Sequence, residues 1–369
     1  MTLPDWQSTP HNRWSFQHVD ELVPSVEISR GTGPTLELVD TTLPIELEVD
    51  DFLARSSTDG FIVLRGREVL VERYLNGMKP GTRHLLQSVS KSMCSAVFGR
   101  YVESDQIAVD EPVGSYLPEL ADSAYGDATV QQVLDMTVAV AYDEEYTDPE
   151  SEVQTHERVG RWRTPLPTDP VDTYAFLAGL KKSGDHGRKF AYCSANTEVL
   201  AWLLERVSGR PYAELLHTDL WAALGAQHDG SATVDAAGFP MASGGVSVTL
   251  RDLARFGRVI LDAAQAPDGA SVIPAAWVAD MRRGGDRAAA AESMGDVHPH
   301  GSYRNQFWVT GDRHGCFYGV GIYGQYVWMN PAADVVIAKM SSLPVADDQS
   351  DWGNHVSFFE NLSHGLVPC

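Results

Sequence analysis

Ser88 and Lys91 lie three residues apart in the run H-L-L-Q-S-V-S-K-S at 84–92. Three residues is close to one turn, so on a helix both side chains share a face. A serine hydroxyl is a weak nucleophile unless a base stands beside it. A lysine can be that base when burial or neighbouring charge lowers its pKa. A helix starting there adds free N–H groups able to stabilise an oxyanion. The tetrapeptide alone is a weak signal, because 28 serines and six lysines in 369 residues give roughly 0.5 such pairs by chance. A serine cap beside a solvated lysine has the same spacing. It is, however, the chain's single S-x-x-K.

A second run, K-F-A-Y-C-S-A-N at 189–196, puts Tyr192 just ahead of a helix start at Ser194. A phenol near a lysine ammonium can be held partly ionised and pass protons; a packed ring with a bonded hydroxyl is the ordinary alternative. A third run, G-V-G-I-Y-G at 319–324, formally matches a dinucleotide fingerprint. That fingerprint needs a helix opening on it, whereas Q-Y-V-W-M and a turn at Asn330-Pro331 follow, which is a second strand. The glycines instead let a strand edge approach a ligand closely, or form a bulge. H-P-H at 298–300 lacks a third ligand and no H-E-x-x-H occurs, so no metal or cofactor is expected. No G-x-S-x-G elbow is present either. Asp143, Glu144, Glu145 and Glu157 are either a solvated face or a receiver for a cationic substrate end.

These residues need elements to hold them. F-I-V-L-R at 61–65 and E-V-L-V-E-R-Y at 68–74 flank Gly66 as a hairpin. From Ser88 the period changes, with Val89, Met93, Val97 and Tyr101 recurring at fours on a helical face. Further helices are expected over 129–136, 171–181, 194–208, 211–224, 249–264, 274–283 and 352–366, and strands over 306–309, 316–322, 325–329 and 335–340. Residues 139–170 show little pattern, as functional loops often do. Strands at both ends with helices between them imply an α+β fold: one antiparallel sheet from both chain ends, flanked by helices, with an inserted helical region. The expected division is an extended lead-in over 1–50 and a catalytic domain over 51–369. Within that domain the α/β part is about 51–105 and 245–369, and the helical part about 106–244.

Composition narrows the partners. With 50 Asp and Glu against 28 Lys and Arg, the formal charge is −22. Such a surface repels phosphate backbones and anionic lipid, so neither nucleic acid nor membrane is an expected partner. No run approaches a membrane span, the first residues do not resemble a signal peptide, and four cysteines, Cys94, Cys193, Cys316 and Cys369, form no CxxC pair. A cytoplasmic, reducing location is the expectation, with a homodimer as the default assembly.

Taken together, S-V-S-K at 88–91, Tyr192 and a glycine-bearing strand near the carboxyl end resemble the serine β-lactamase and penicillin-recognising superfamily, on its class C and family VIII esterase side. The chain is similar in particular to the 6-aminohexanoate-dimer hydrolase branch, through H-N-R-W at 11–14, 84–92, Q-V-L-D-M at 132–136, S-E-V-Q-T-H at 151–156, 192–196, V-L-A-W at 199–202 and G-G-V-S at 244–247. The resemblance implies a β-lactamase-like fold with Ser88 acylated and Lys91 and Tyr192 exchanging its proton. It implies oxyanion donors at the backbone N–H groups of Ser88 and Ile322, a Tyr146 that closes over substrate and assists amide cleavage, and a mobile Trp308. Glu157 stands where that branch has an aspartate facing a substrate ammonium. Ser194, Ser243 and Tyr323 complete the implied substrate-binding set. I-Y-G at 322–324 lacks the Lys or His that many relatives place before this glycine, so β-lactam carboxylates should bind poorly. The implied activity is an acyl-enzyme hydrolase of short linear amides and short-chain esters. The alternatives are a carboxylesterase with negligible amidase activity, a noncatalytic binder on the same scaffold, and, remotely, a nicotinamide enzyme.

Overall fold

The computed structural model describes residues 3, 5–41, 47–262 and 271–367. Cys369 and the last two residues of the helix expected over 249–264 lie outside them.

The main sheet has eight strands, in the spatial order Val39–Asp40, Glu68–Tyr74, Thr58–Arg65, Val335–Ser341, Gln325–Asn330, Phe317–Gly321, Phe307–Val309 and Ser302–Arg304. Both chain ends therefore build it, as expected. It is not wholly antiparallel: Val39–Asp40 pairs parallel with Glu68–Tyr74, which makes the sheet mixed. The run F-I-V-L has no polar alternation because both faces are covered. Ile62 and Leu64 enter the core beneath one face, while Phe61 and Val63 enter the core on the other. Each such fully buried side chain contributes about 1.5–3 kcal/mol.

Helix Leu250–Leu261 packs on the inner face, and helix Gln349–His364 covers the outer one. Helix Val89–Glu103 lies between the sheet and the helical region, buried on almost every side. Small residues permit this. A Cβ on Gly99 would stand 2.5 Å from the Trp277 ring, and one on Gly319 would stand 2.6 Å from Ser92 Oγ. Gly319 thus serves contact between strand and helix, beside the two expectations for these glycines of a close ligand approach or a bulge.

A second sheet of four short strands was not expected: Ser25–Ile28, Gly230–Thr233, Val246–Val248 and His84–Leu85. Strands of two to four residues carry no readable alternation, and their partners are remote in sequence. The lead-in is also less extended than expected. It forms a helical turn at Asn12–Ser15, a 3-10 turn at Val19–Glu21 and the first strand of the small sheet. It is tied in by Trp6 Nε1 donating to Trp162 O at 2.8 Å, and Asn12 Nδ2 to Leu343 O at 2.8 Å. The patternless stretch 139–170 holds helix Glu152–Val159, whose buried face includes Gln154, His156 and Glu157. A polar buried face leaves no apolar stripe to read. No described helix is long and apolar enough to cross a membrane.

Candidate active site

The turn before helix Val89–Glu103 is set by long-range pairing. His84 is fully buried, with Nε2 3.1 Å from Asp59 Oδ2 and Nδ1 2.9 Å from Leu85 O. Gln87 then takes a left-handed conformation, φ +48°, and Ser88 begins the helix. A non-glycine residue in that region costs about 1–3 kcal/mol and persists only where its surroundings enforce it. Tyr323, just after Ile322, is left-handed as well, at φ +61°. The two N–H groups expected to bind an oxyanion are thus each flanked by strained backbone.

Ser88 makes no side-chain cap bond, so its hydroxyl is free for other partners. Lys91 Nζ lies 2.8 Å from Ser88 Oγ, 3.0 Å from Ser194 Oγ and 2.8 Å from Ser243 O. Three acceptors match the three N–H bonds of an ammonium. A neutral amine would keep two of them and accept the Ser88 proton. Burial lowers the Lys91 pKa to about 8, against the opposing pull of Glu144, Glu198 and Cys193. The free base is therefore accessible near neutrality.

Tyr192 stands beside this pair, with Lys91 Nζ 5.0 Å from its ring centroid. Burial pushes its phenol pKa well up, and a hydrogen bond with Ser88 only partly offsets that. Burial favours the protonated phenol, the packed ring with a bonded hydroxyl that stood as the ordinary alternative.

Tyr146 reaches the same cluster through Glu144. Its hydroxyl donates to Glu144 Oε1 at 2.7 Å, and Ser194 donates to the same carboxylate through Oγ at 2.5 Å and N–H at 2.9 Å. A chain of hydrogen bonds thus runs from Lys91 through Ser194 and Glu144 to Tyr146. Among the acids singled out in the sequence, Glu144 takes this structural place at the start of helix Ser194–Ser208, where an anion is favoured. Glu198, which no spacing points to, is fully buried and accepts from the N–H groups of Ala242 and Ser243, fixing the carbonyl that holds Lys91.

Ser88, Tyr146, Tyr192, Trp308 and Ile322 line one cavity of about 330 Å³. Trp308 stacks on Tyr192 with centroids 6.0 Å apart. A smaller recess of about 30 Å³ behind Ser88 is lined in part by Glu157, Ser194 and Ser243. Glu157 is already engaged, by an ion pair with Arg163 and a 3.2 Å hydrogen bond from Gln7. Tyr323 is turned out of the cavity and packs edge-on against Phe16, 5.1 Å between centroids.

Strand Phe317–Gly321 ends against the serine turn because Gly321 has no side chain. A Cβ there would lie 2.6 Å from Leu86 O and 2.8 Å from Ser88 N. Among the described residues, the N–H groups of Ser88 and Ile322 find no acceptor within the protein. Gly321→Ala is therefore expected to lower kcat on p-nitrophenyl acetate by about 100-fold, the size of losing one oxyanion donor. Steady-state kinetics beside a melting curve would check this; a folded variant with unchanged kcat would remove this wall from the chemistry.

A family model described as Beta-lactamase matches residues 48–358. The chain belongs to the beta-lactamase family. It is a serine hydrolase of that family, and a curated relative, the 6-aminohexanoate-dimer hydrolase of Paenarthrobacter ureafaciens, is 46% identical to it over 373 residues, covering 99% of this chain and 94% of the relative. Among solved structures, this beta-lactamase-family hydrolase superposes on a candidate 6-aminohexanoate-dimer hydrolase from Bacillus anthracis with a TM-score of 0.87 and 24% identity, over 100% of this chain and 98% of that one. It also superposes on a family VIII carboxylesterase with a TM-score of 0.58 and 14% identity, over 81% and 91% of the two chains. At such identities the solved structures establish the fold of the beta-lactamase family, an α+β mixed sheet flanked by helices.

Proposed function

We propose that this hydrolase cleaves short linear amides such as the 6-aminohexanoate dimer, and short-chain carboxylic esters, through an acyl-enzyme on Ser88. The observation that carries the reading is the 2.8 Å contact between Ser88 Oγ and a buried amine whose pKa is lowered to about 8. The neutral Lys91 amine takes the Ser88 proton as Oγ attacks the carbonyl carbon. The tetrahedral oxyanion is received by the Ser88 and Ile322 N–H groups. As the C–N bond breaks, the leaving amine gains a proton from Tyr192 or Tyr146, and Lys91 returns one through the hydrogen-bonded chain. Water then attacks the acyl-enzyme, its proton passes to Lys91, and Ser88 is released with a proton restored.

The cavity wall supports an amino-terminated substrate. Glu144, Asp347, Asp348 and Asp351 line it, and among the described residues no lysine, arginine or histidine does. That field favours a cation and disfavours the carboxylate of a β-lactam. Because Arg163 neutralises Glu157, an ammonium reaching the smaller recess would have to displace the guanidinium.

Tyr146→Phe separates amide from ester turnover. An amine leaving group needs protonation, whereas p-nitrophenolate does not. The variant is expected to lose about 100-fold or more on an aminohexanoate amide and less than about tenfold on p-nitrophenyl acetate. Equal losses would take Tyr146 out of that role. A wild-type protein turning over only the ester would make it a carboxylesterase instead.

A further inference from the structure

The turn between strands Phe307–Val309 and Phe317–Gly321 meets the last turn of helix Gln349–His364. There Asp312, Cys316 and His364 bring one carboxylate oxygen, one sulfur and one imidazole nitrogen within 4.8 Å of one another. His364 Nε2 is 3.3 Å from Asp312 Oδ2 and 3.8 Å from Cys316 Sγ. We propose that these three side chains form a zinc-binding site that fastens the carboxyl-terminal helix to the main sheet, with water in the fourth position.

The spacings fit the ion. Zinc–sulfur bonds near 2.3 Å and zinc–nitrogen or zinc–oxygen bonds near 2.0 Å, at tetrahedral angles, set ligand atoms about 3.5 Å and about 3.3 Å apart. The His364–Asp312 contact at 3.3 Å matches its edge, the His364–Cys316 contact at 3.8 Å is slightly longer than its own, and all three atoms lie within 4.8 Å of one another. All three side chains face one point, the Asp312 carboxylate meeting both the His364 imidazole and the Cys316 thiol. The turn is also pre-shaped. Asp312 Oδ1 accepts the N–H groups of His314 and Cys316 at 2.9 and 3.1 Å, leaving Oδ2 for the cation. His314 stacks on His364 with centroids 4.0 Å apart and limits that ring's movement.

The donor set is what zinc prefers among divalent ions: one soft thiolate, one imidazole and one carboxylate. On binding, the Cys316 S–H bond breaks, its proton goes to solvent and the sulfur bonds the metal. One thiolate and one carboxylate then neutralise Zn²⁺. No sequence motif announces this site, because Cys316 and His364 are 48 positions apart. The same helix places Asp351 and Trp352 on the catalytic cavity wall, so the fastening would steady that wall from its far end.

The test uses the full-length protein, stripped by chelator and then given Zn²⁺ or Co²⁺ alone. Expected are about one zinc retained per chain after gel filtration, a raised melting temperature, and a thiolate-to-cobalt charge-transfer band. Cys316→Ser should lose the band, and Cys316→Ser and His364→Ala should each weaken binding by about 100-fold or more. Circular dichroism and esterase activity report whether each variant is folded. A wild-type protein that retains no zinc would overturn the proposal, as would binding that both folded variants keep. If neither variant folds, cobalt spectroscopy on the wild type still decides, since absence of the thiolate band excludes Cys316 as a ligand.

Discussion

Replacing Ser88 with alanine is expected to reduce p-nitrophenyl acetate hydrolysis to the buffer rate, a loss on the order of 10⁴-fold or more. The substitution is unusually clean. Ser88 heads a helix but contributes no side-chain cap bond, so alanine removes no helix-end stabilisation. Its hydroxyl meets Lys91 Nζ, which keeps Ser194 Oγ and Ser243 O as acceptors, and the Tyr192 phenol, which stays packed against Trp308. The fold should therefore survive, and a melting curve unchanged within about 1 kcal/mol would show it. Intact mass after a fluorophosphonate gives an independent readout: one adduct on the wild type and none on the variant. Full activity in a folded Ser88→Ala protein would end the acyl-enzyme reading.

Lys91→Met is expected to lower kcat/KM by about 10³-fold, within the range for a positioned general base. Methionine keeps the volume in a site only 1% exposed, while removing the amine. Ser243 O then loses its donor, costing about 1–3 kcal/mol of stability, so the variant should melt lower yet stay folded. The pH profile discriminates further. Lys91 acts in its neutral form, so wild-type kcat/KM should rise with pH and level off above about 8. Below that value each unit of acid converts more amine to ammonium, and the rate falls about tenfold per unit. The limb should vanish in Lys91→Met. A wild-type limb remaining near the ordinary lysine value would show that burial does not activate this amine.

Which of these groups could be read from the chain depended on range. Ser88 and Lys91 were legible because one helical turn joins them, and Tyr192 because a helix start follows it. Glu144 was seen only as one acid among several, since its partners Ser194 and Tyr146 meet it through folding. Glu157 carried a charge that suggested an ammonium receptor, yet Arg163, six residues on, already takes it. Between a partly ionised Tyr192 and a packed ring the chain alone offered no choice, because sequence names the neighbouring cation but not how little water remains around the phenol. The small sheet and helix Glu152–Val159 escaped notice because short strands and polar buried faces leave no period.

Strand Thr58–Arg65 finds its inner partner only in Val335–Ser341. During synthesis on the ribosome, the hairpin and the serine-bearing helix emerge more than 200 residues before Val335–Ser341 and wait for it before that pairing can close. Gly321 and Ile322 follow Ser88 by more than 200 residues, so the oxyanion wall cannot exist on a nascent chain that has not yet reached them. An immature product would therefore be inert toward cellular esters, and a prematurely terminated one would expose an open sheet edge to chaperones and proteases rather than act as a partial enzyme.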